Sequence, residues 1–95
     1  MSFNGTSEVM SARDLLLAAQ AVALPYEASA DGVWVRFEGA GESAYVIADA
    51  TAAGYSVLLF DGEYGLRVGQ FGGARDAVSA AIRVLGLADQ TRAAV

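Results

Sequence analysis

Apolar residues recur at helical spacing over positions 7–23. Val9, Ala12, Leu16, Ala19 and Ala23 fall on one stripe, and Leu15 and Val22 widen it. Ser7 or Ser11 can cap this helix, and Ser11 with Asp14 gives an S-x-x-D start. Pro25 has no amide hydrogen and clashes with a preceding turn, so the helix ends before it. The period then changes to two. After an Asp31-Gly32 turn, VWVRFE at 33–38 places Val33, Val35 and Phe37 on one side and Trp34, Arg36 and Glu38 on the other. Gly39-Ala40-Gly41 interrupts the run, AYVIAD at 44–49 resumes it, ATAAG at 50–54 reads as a loop, and YSVLLF at 55–60 is the most apolar strand. Asp61-Gly62 predicts a two-residue type I′ hairpin, with EYGLRVGQF at 63–71 returning antiparallel. Gly65 and Gly69 within that strand predict bulges or a close approach of neighbouring backbone.

A second helix is predicted over 74–85, opened by Gly72-Gly73, with Ala74, Ala77, Val78, Ala81, Ile82 and Leu85 as its apolar stripe. Gly86 occupies the position of a left-handed cap, with Leu87 as its hydrophobic contact. The predicted fold is therefore α+β, in the order α-β-β-β-β-α. It is a four-stranded antiparallel meander with the N- and C-terminal helices packed on one face. One domain spans 7–87, and flexible termini occupy 1–6 and 88–95.

The chain has 95 residues, 55% of them hydrophobic, enough for one packed core. Much of that content is alanine. The core is therefore expected to rest on Leu15, Leu16, Trp34, Val35, Phe37, Val46, Val57, Leu59, Phe60, Ile82 and Leu85. Net charge is −5, and the six basic residues are all arginine: Arg13, Arg36, Arg67, Arg75, Arg83 and Arg92. Coding bias toward GC-rich codons accounts for this usage, and selection for a surface that mimics nucleic acid or meets a basic partner is the competing account. Binding of nucleic acid is not expected, because phosphate neutralisation needs clustered positive charge. MSFNGTSEVM lacks the basic and apolar regions of a signal peptide, and no apolar run is long enough for a membrane span. No membrane association and a cytoplasmic location are the expectation.

Histidine, cysteine and lysine are absent. Imidazole-based triads, thiolate or imidazole metal sites and a lysine-bearing P-loop are therefore excluded. Gly69-Gln70-Phe71-Gly72-Gly73 does not match the spacing of a dinucleotide-binding turn. Glu38, Glu42, Asp49, Asp61 and Glu63 lie in or near loops, yet no spacing among them selects an acid–base pair or an EF-hand. Neither a catalytic function nor a cofactor is expected.

The informative feature is the second side of the sheet. With Val33, Val35, Phe37, Val57 and Leu59 toward the helices, Trp34, Arg36, Leu58 and Phe60 point away. Either Tyr45 and Ile47 or Ala44 and Val46 join them, and Arg67 and Phe71 complete the set. An uncovered sheet face is normally polar at alternate positions. This one carries the aromatic and arginine side chains enriched in binding hot spots. Trp34, Arg36, Tyr45, Leu58, Phe60 and Arg67 are the candidate partner-binding residues, for a partner protein, a homodimer, or both.

Residues 15–49, LLLAAQAVALPYEASADGVWVRFEGAGESAYVIAD, resemble the opening helix and strands of type III secretion chaperone-like domains over about a third of the chain. The resemblance rests on the helix, LPYE, DG and two alternating strands, and implies binding of a protein partner rather than catalysis. The D-G hairpin and single closing helix depart from that pattern. The helix–meander–helix order is also similar to a double-stranded-RNA-binding domain with an extra strand, but the second helix begins GGARDA, without that family's basic start. The expectation is a small acidic, non-catalytic protein-interaction module. Its size and charge suit a phage- or mobile-element-type inhibitor or adaptor. A small-ligand binder with a pocket between helices and sheet is the alternative, and an enzyme using carboxylates alone is the third reading.

Overall fold

A computed structural model describes residues 3–49 and 54–86, with side chains from residue 12 onward. The elements are α1 (Phe3–Ala21), β1 (Glu27–Ala28), β2 (Trp34–Glu38), β3 (Ser43–Asp49), β4 (Gly54–Phe60), β5 (Gly65–Phe71) and α2 (Ala74–Val84). The strands form one antiparallel sheet in the order β1-β2-β3-β4-β5, so the fold is an α+β meander between two helices. It has five strands where four are predicted. The extra strand is two residues long, with Glu27 opposite Arg36 and Ala28 opposite Val35. Two residues are too few to show a period-two pattern, and only the pairing with β2 makes them a strand.

Helix α1 begins at Phe3, ahead of the predicted start at 7, so neither Ser7 nor Ser11 is its N-cap and residues 3–6 are helical. Polar residues such as Ser, Thr and Asn cost a helix only about 0.5 kcal/mol each, which does not stop it. At the other end the helix stops at Ala21, and Ala23 takes a left-handed φ of 57° before Pro25. Ala23 is therefore exposed and not part of the buried stripe, which runs through Ala12, Leu15 and Ala19 with Leu16 and Val22 at its margin. The side chain of Val9 and residues 1–2, 50–53 and 87–95 lie outside what is described. The predicted 50–54 loop is thus seen only at Gly54, the first residue of β4.

Both helices pack on one side of the sheet. Val35, Phe37, Ala44, Val46 and Val57 are fully buried beneath Leu15, Ala19, Ala77, Val78 and Ala81. Among the described residues the core contains no buried polar side chain. Trp34 and Phe60, counted in the predicted core, are not in it. Trp34 is partly exposed and Phe60 is 43% exposed, both on the opposite side of the sheet. Tyr55, at 5% exposure, takes a core place instead.

Two turns fix the strand ends. In the 29–33 turn, the Ser29 hydroxyl donates to Asp31 Oδ1 at 2.8 Å, and the Trp34 amide donates to Ser29 Oγ at 3.1 Å. Gly32 sits there at φ 74°, with Leu16 Cδ1 only 3.1 Å from where a Cβ would lie. The Asp61-Gly62 turn is wider than the predicted two residues, since Phe60 pairs with Gly65 and leaves 61–64 between the strands. Asp61 is not at positive φ, so the turn is not type I′. Its carboxylate instead accepts the amides of Glu63 at 3.0 Å and Tyr64 at 2.9 Å, closing the turn through a side chain.

The glycine-bearing strand β5 contains the predicted irregularity. Val57 pairs with Gly69 and Leu58 with Arg67, so Val68 is an extra residue without a partner on β4. At Gly65 it is a side chain and not the predicted neighbouring backbone that comes close, because a Cβ there would meet the Phe60 ring at 2.9 Å.

Candidate interaction surface

The face away from the helices is built by strand phase. Residues directly opposite in an antiparallel pair share a face. Trp34 lies opposite Ile47, Arg36 opposite Tyr45, Tyr45 opposite Leu58, and Leu58 opposite Arg67. Phe60, two residues from Leu58, is on the same side. All six predicted partner-binding residues therefore meet on one face. Of the two open pairs on β3, Tyr45 and Ile47 face outward, because Ala44 and Val46 are fully buried.

Phe71 does not join them. It lies opposite Tyr55 and packs on the core. Arg67 and Phe71 are four positions apart, which in an unbroken strand puts them on one side. The extra residue Val68 changes the parity, so Arg67 points outward and Phe71 inward.

The aromatic side chains form a diagonal row across three strands. The Trp34 and Tyr45 rings are 5.5 Å apart at 63°, and Tyr45 and Phe60 are 6.1 Å apart at 74°, both edge-to-face. Arg36 lies beside the row, with Nη2 at 3.1 Å from both Glu27 and Glu38. The Tyr45 hydroxyl, and then these two carboxylates, raise the guanidinium pKa above its ordinary value. Its side chain is 27% exposed, and its Nε is buried with no hydrogen-bond partner. Arg67 Nη2 donates to Gln70 Oε1 at 3.0 Å. The surface is thus apolar at its centre, with an arginine held rigidly at one flank and a second arginine at the other.

Sequence reasoning missed Glu27, whose place beside Arg36 depends on β1. It also missed an exposed apolar group at the start of β5. Leu66, opposite Leu59, is 64% exposed, Tyr64 is 74% exposed and Val68 is 37% exposed. Leu66 faces the helix side opposite Leu59, beyond the reach of the helices, while Tyr64 lies in the turn and Val68 is the extra residue of the bulge.

The described surface carries shallow concavities. One of about 260 Å³ is lined by Pro25, Tyr26, Glu27, Arg36 and Glu38, and one of about 330 Å³ lies along Asp14, Leu17, Ala18, Ala21, Ala74 and Arg75. Neither opens between the helices and the sheet. Of the candidate carboxylates, Glu38 is tied to Arg36 and Asp61 holds its turn. The Asp61 and Asp31 carboxyls are both held below the usual carboxylate value, Asp61 by the amides of Tyr64 and Glu63, Asp31 by the Ser29 hydroxyl and the Val33 amide. Among the described residues no group of three Asp, Glu, His or Cys side chains gathers to hold a metal, and no helix is long and apolar enough to cross a membrane. Comparison with protein-family models, curated proteins and solved structures finds no match for this chain.

Proposed function

We propose that this protein is a non-catalytic interaction module that binds another folded protein through the outer face of its sheet. The observation that carries this reading is the Trp34–Tyr45–Phe60 row, flanked by Arg36 and Arg67, on a face that neither helix covers. Aromatic and arginine side chains give large contact areas at low entropic cost, and they dominate binding hot spots. The Arg36 guanidinium is already oriented by Glu27 and Glu38, so little order is lost when a partner docks on it. The partner's chemistry follows from the charge. A chain of net charge −5 attracts a protein whose apolar contact patch is ringed by basic side chains. An inhibitor or adaptor that occludes such a surface, of the kind encoded by phages and mobile elements, matches this size and charge.

The alternative of a ligand pocket between helices and sheet has less support. The described core is filled by Phe37, Leu15, Val35, Val46, Val57 and Val78 and buries no polar side chain that could orient a ligand. The test uses the partner recovered from source cells and then purified. Phe60→Asp and Trp34→Asp should each weaken its binding by roughly tenfold or more, and higher salt should weaken the wild type. Phe60 is exposed enough that its variant keeps the fold, which circular dichroism checks. Full-strength binding by a folded Phe60→Asp and a folded Trp34→Asp chain would remove the proposal.

A further inference from the structure

The two edges of the sheet differ. β1 offers two residues to solvent, while β5 offers seven, Gly65–Phe71, with neither proline nor lysine among them. A long free edge is a template for pairing with another strand unless it is blocked by charge, proline or a covering element. The one charge on β5, Arg67, projects to the outer face. The start of β5 is bare: Tyr64, Leu66 and Val68 are 74%, 64% and 37% exposed, with Leu66 on the helix-facing side opposite Leu59. Four of the five large hydrophobic residues most exposed among those described lie between 60 and 68.

We infer that β5 pairs antiparallel with β5 of a second copy of this chain, about a two-fold axis at Leu66, joining two sheets into one. The strand is self-complementary in that register. Leu66 meets Leu66 of the second copy on the helix-facing side, and Tyr64 of each copy lies across from Val68 of the other, so the three bare apolar positions gather about the axis. Arg67 falls opposite Gly65 of the second copy, so no like charges face each other across the axis. Gly65 is the position over which the Phe60 ring lies, with Cε2 2.9 Å from a notional Cβ. The pairing thus brings the Arg67 guanidinium of one copy over the Phe60 ring of the other, a cation–π arrangement.

The apolar area is that of a small interface, completed by the backbone of the paired strands. Scaling large side chains of roughly 150–200 Å² by the exposures of Phe60, Tyr64, Leu66 and Val68 gives roughly 400 Å² of apolar surface per copy. Two copies contribute roughly 800 Å² before the backbone of the paired strands is counted, and specific interfaces begin near 1,000–1,200 Å² in total. Leu66 lies on the opposite side of the sheet from Trp34, so a change there leaves the Trp34–Tyr45 part of the outer face intact, while Phe60 and Arg67 border both surfaces.

Light scattering on the wild-type chain at about 100 μM, a concentration suited to a small interface, should give twice the monomer mass of 9.8 kDa. Leu66→Lys should weaken self-association by roughly tenfold or more while keeping the circular dichroism of the wild type. The natural chain has no cysteine, so a single introduced thiol reports on proximity to its own copy. Leu66→Cys, across a two-fold axis with cross-strand Cα separations of about 4.5–5.5 Å, should oxidise rapidly to a covalent dimer. Ser79→Cys, exposed on α2, is the control. A monomeric wild type at that concentration would assign the edge to a different chain and overturn the inference. Oxidation of Leu66→Cys no faster than that of Ser79→Cys would also overturn it.

Discussion

Phe37 and Phe60 test the phase of the sheet with one residue type on its two faces. Phe37 is fully buried, and its ring lies 6.2 Å from that of Tyr26. Phe37→Ala removes the ring from a close-packed site and leaves a cavity the neighbours only partly fill, at a cost of about 3–5 kcal/mol. Phe60 is 43% exposed. Slightly more than half of its ring leaves water on folding, roughly 100 Å², which at about 25 cal/mol/Å² is worth about 2.5 kcal/mol at most. Water can enter the space left by Phe60→Ala, so no cavity cost is added, and the expected loss is about 2 kcal/mol, including the edge contact with Tyr45. A domain of 95 residues has about 5–14 kcal/mol of total stability, so the first change is close to unfolding and the second is not. Urea unfolding followed by circular dichroism reads both. At a slope of about 1 kcal/mol per molar urea, the midpoints should fall by about 3–5 M and about 2 M respectively. Equal losses, or a larger loss for Phe60→Ala, would refute the assignment of Phe60 to the outer face.

Other consequences are accessible to the same assays. Deleting Val68 removes the bulge and leaves Arg67 and Phe71 three positions apart, on opposite faces as they already are, so every pairing with β4 is kept. The urea midpoint should fall by no more than about 1 M, and a loss as large as that of Phe37→Ala would contradict the parity argument. Gly32→Ala forces a side chain into left-handed backbone with Leu16 Cδ1 at 3.1 Å, and should cost about 1–2 kcal/mol in the same measurement. The Asp31 and Asp61 carboxyls are held below their ordinary value near about 3.9. Their stabilising contribution is therefore complete above about pH 4 and is lost as pH falls through their folded-state values. Asp61→Asn should lower stability at pH 7 but flatten its decline between about pH 5 and 2; an unchanged acid profile would place the proton uptake elsewhere.

Much of this molecule is legible residue by residue. The switch from helical to period-two spacing near Pro25, the glycine breaks and the apolar stripe at 74–85 locate both helices and the four long strands, since local burial pattern and chain punctuation act over a few residues. The same alternation brings Trp34, Arg36, Tyr45, Leu58, Phe60 and Arg67 to one face. Three things depended on the assembled sheet. β1 exists because Glu27 and Ala28 find β2, a pairing that two residues cannot announce. The Asp61 turn is wide because a carboxylate reaches the amides two and three residues on, where the D-G pair alone favoured a tighter turn. The orientation of Phe71 followed from an unpaired Val68, and the exposure of Leu66 from how far the two helices extend over the sheet. Alternation along one strand fixes which residues share a side. Which side is covered, and where a single extra residue reverses the count, is decided by contacts between segments distant in the chain.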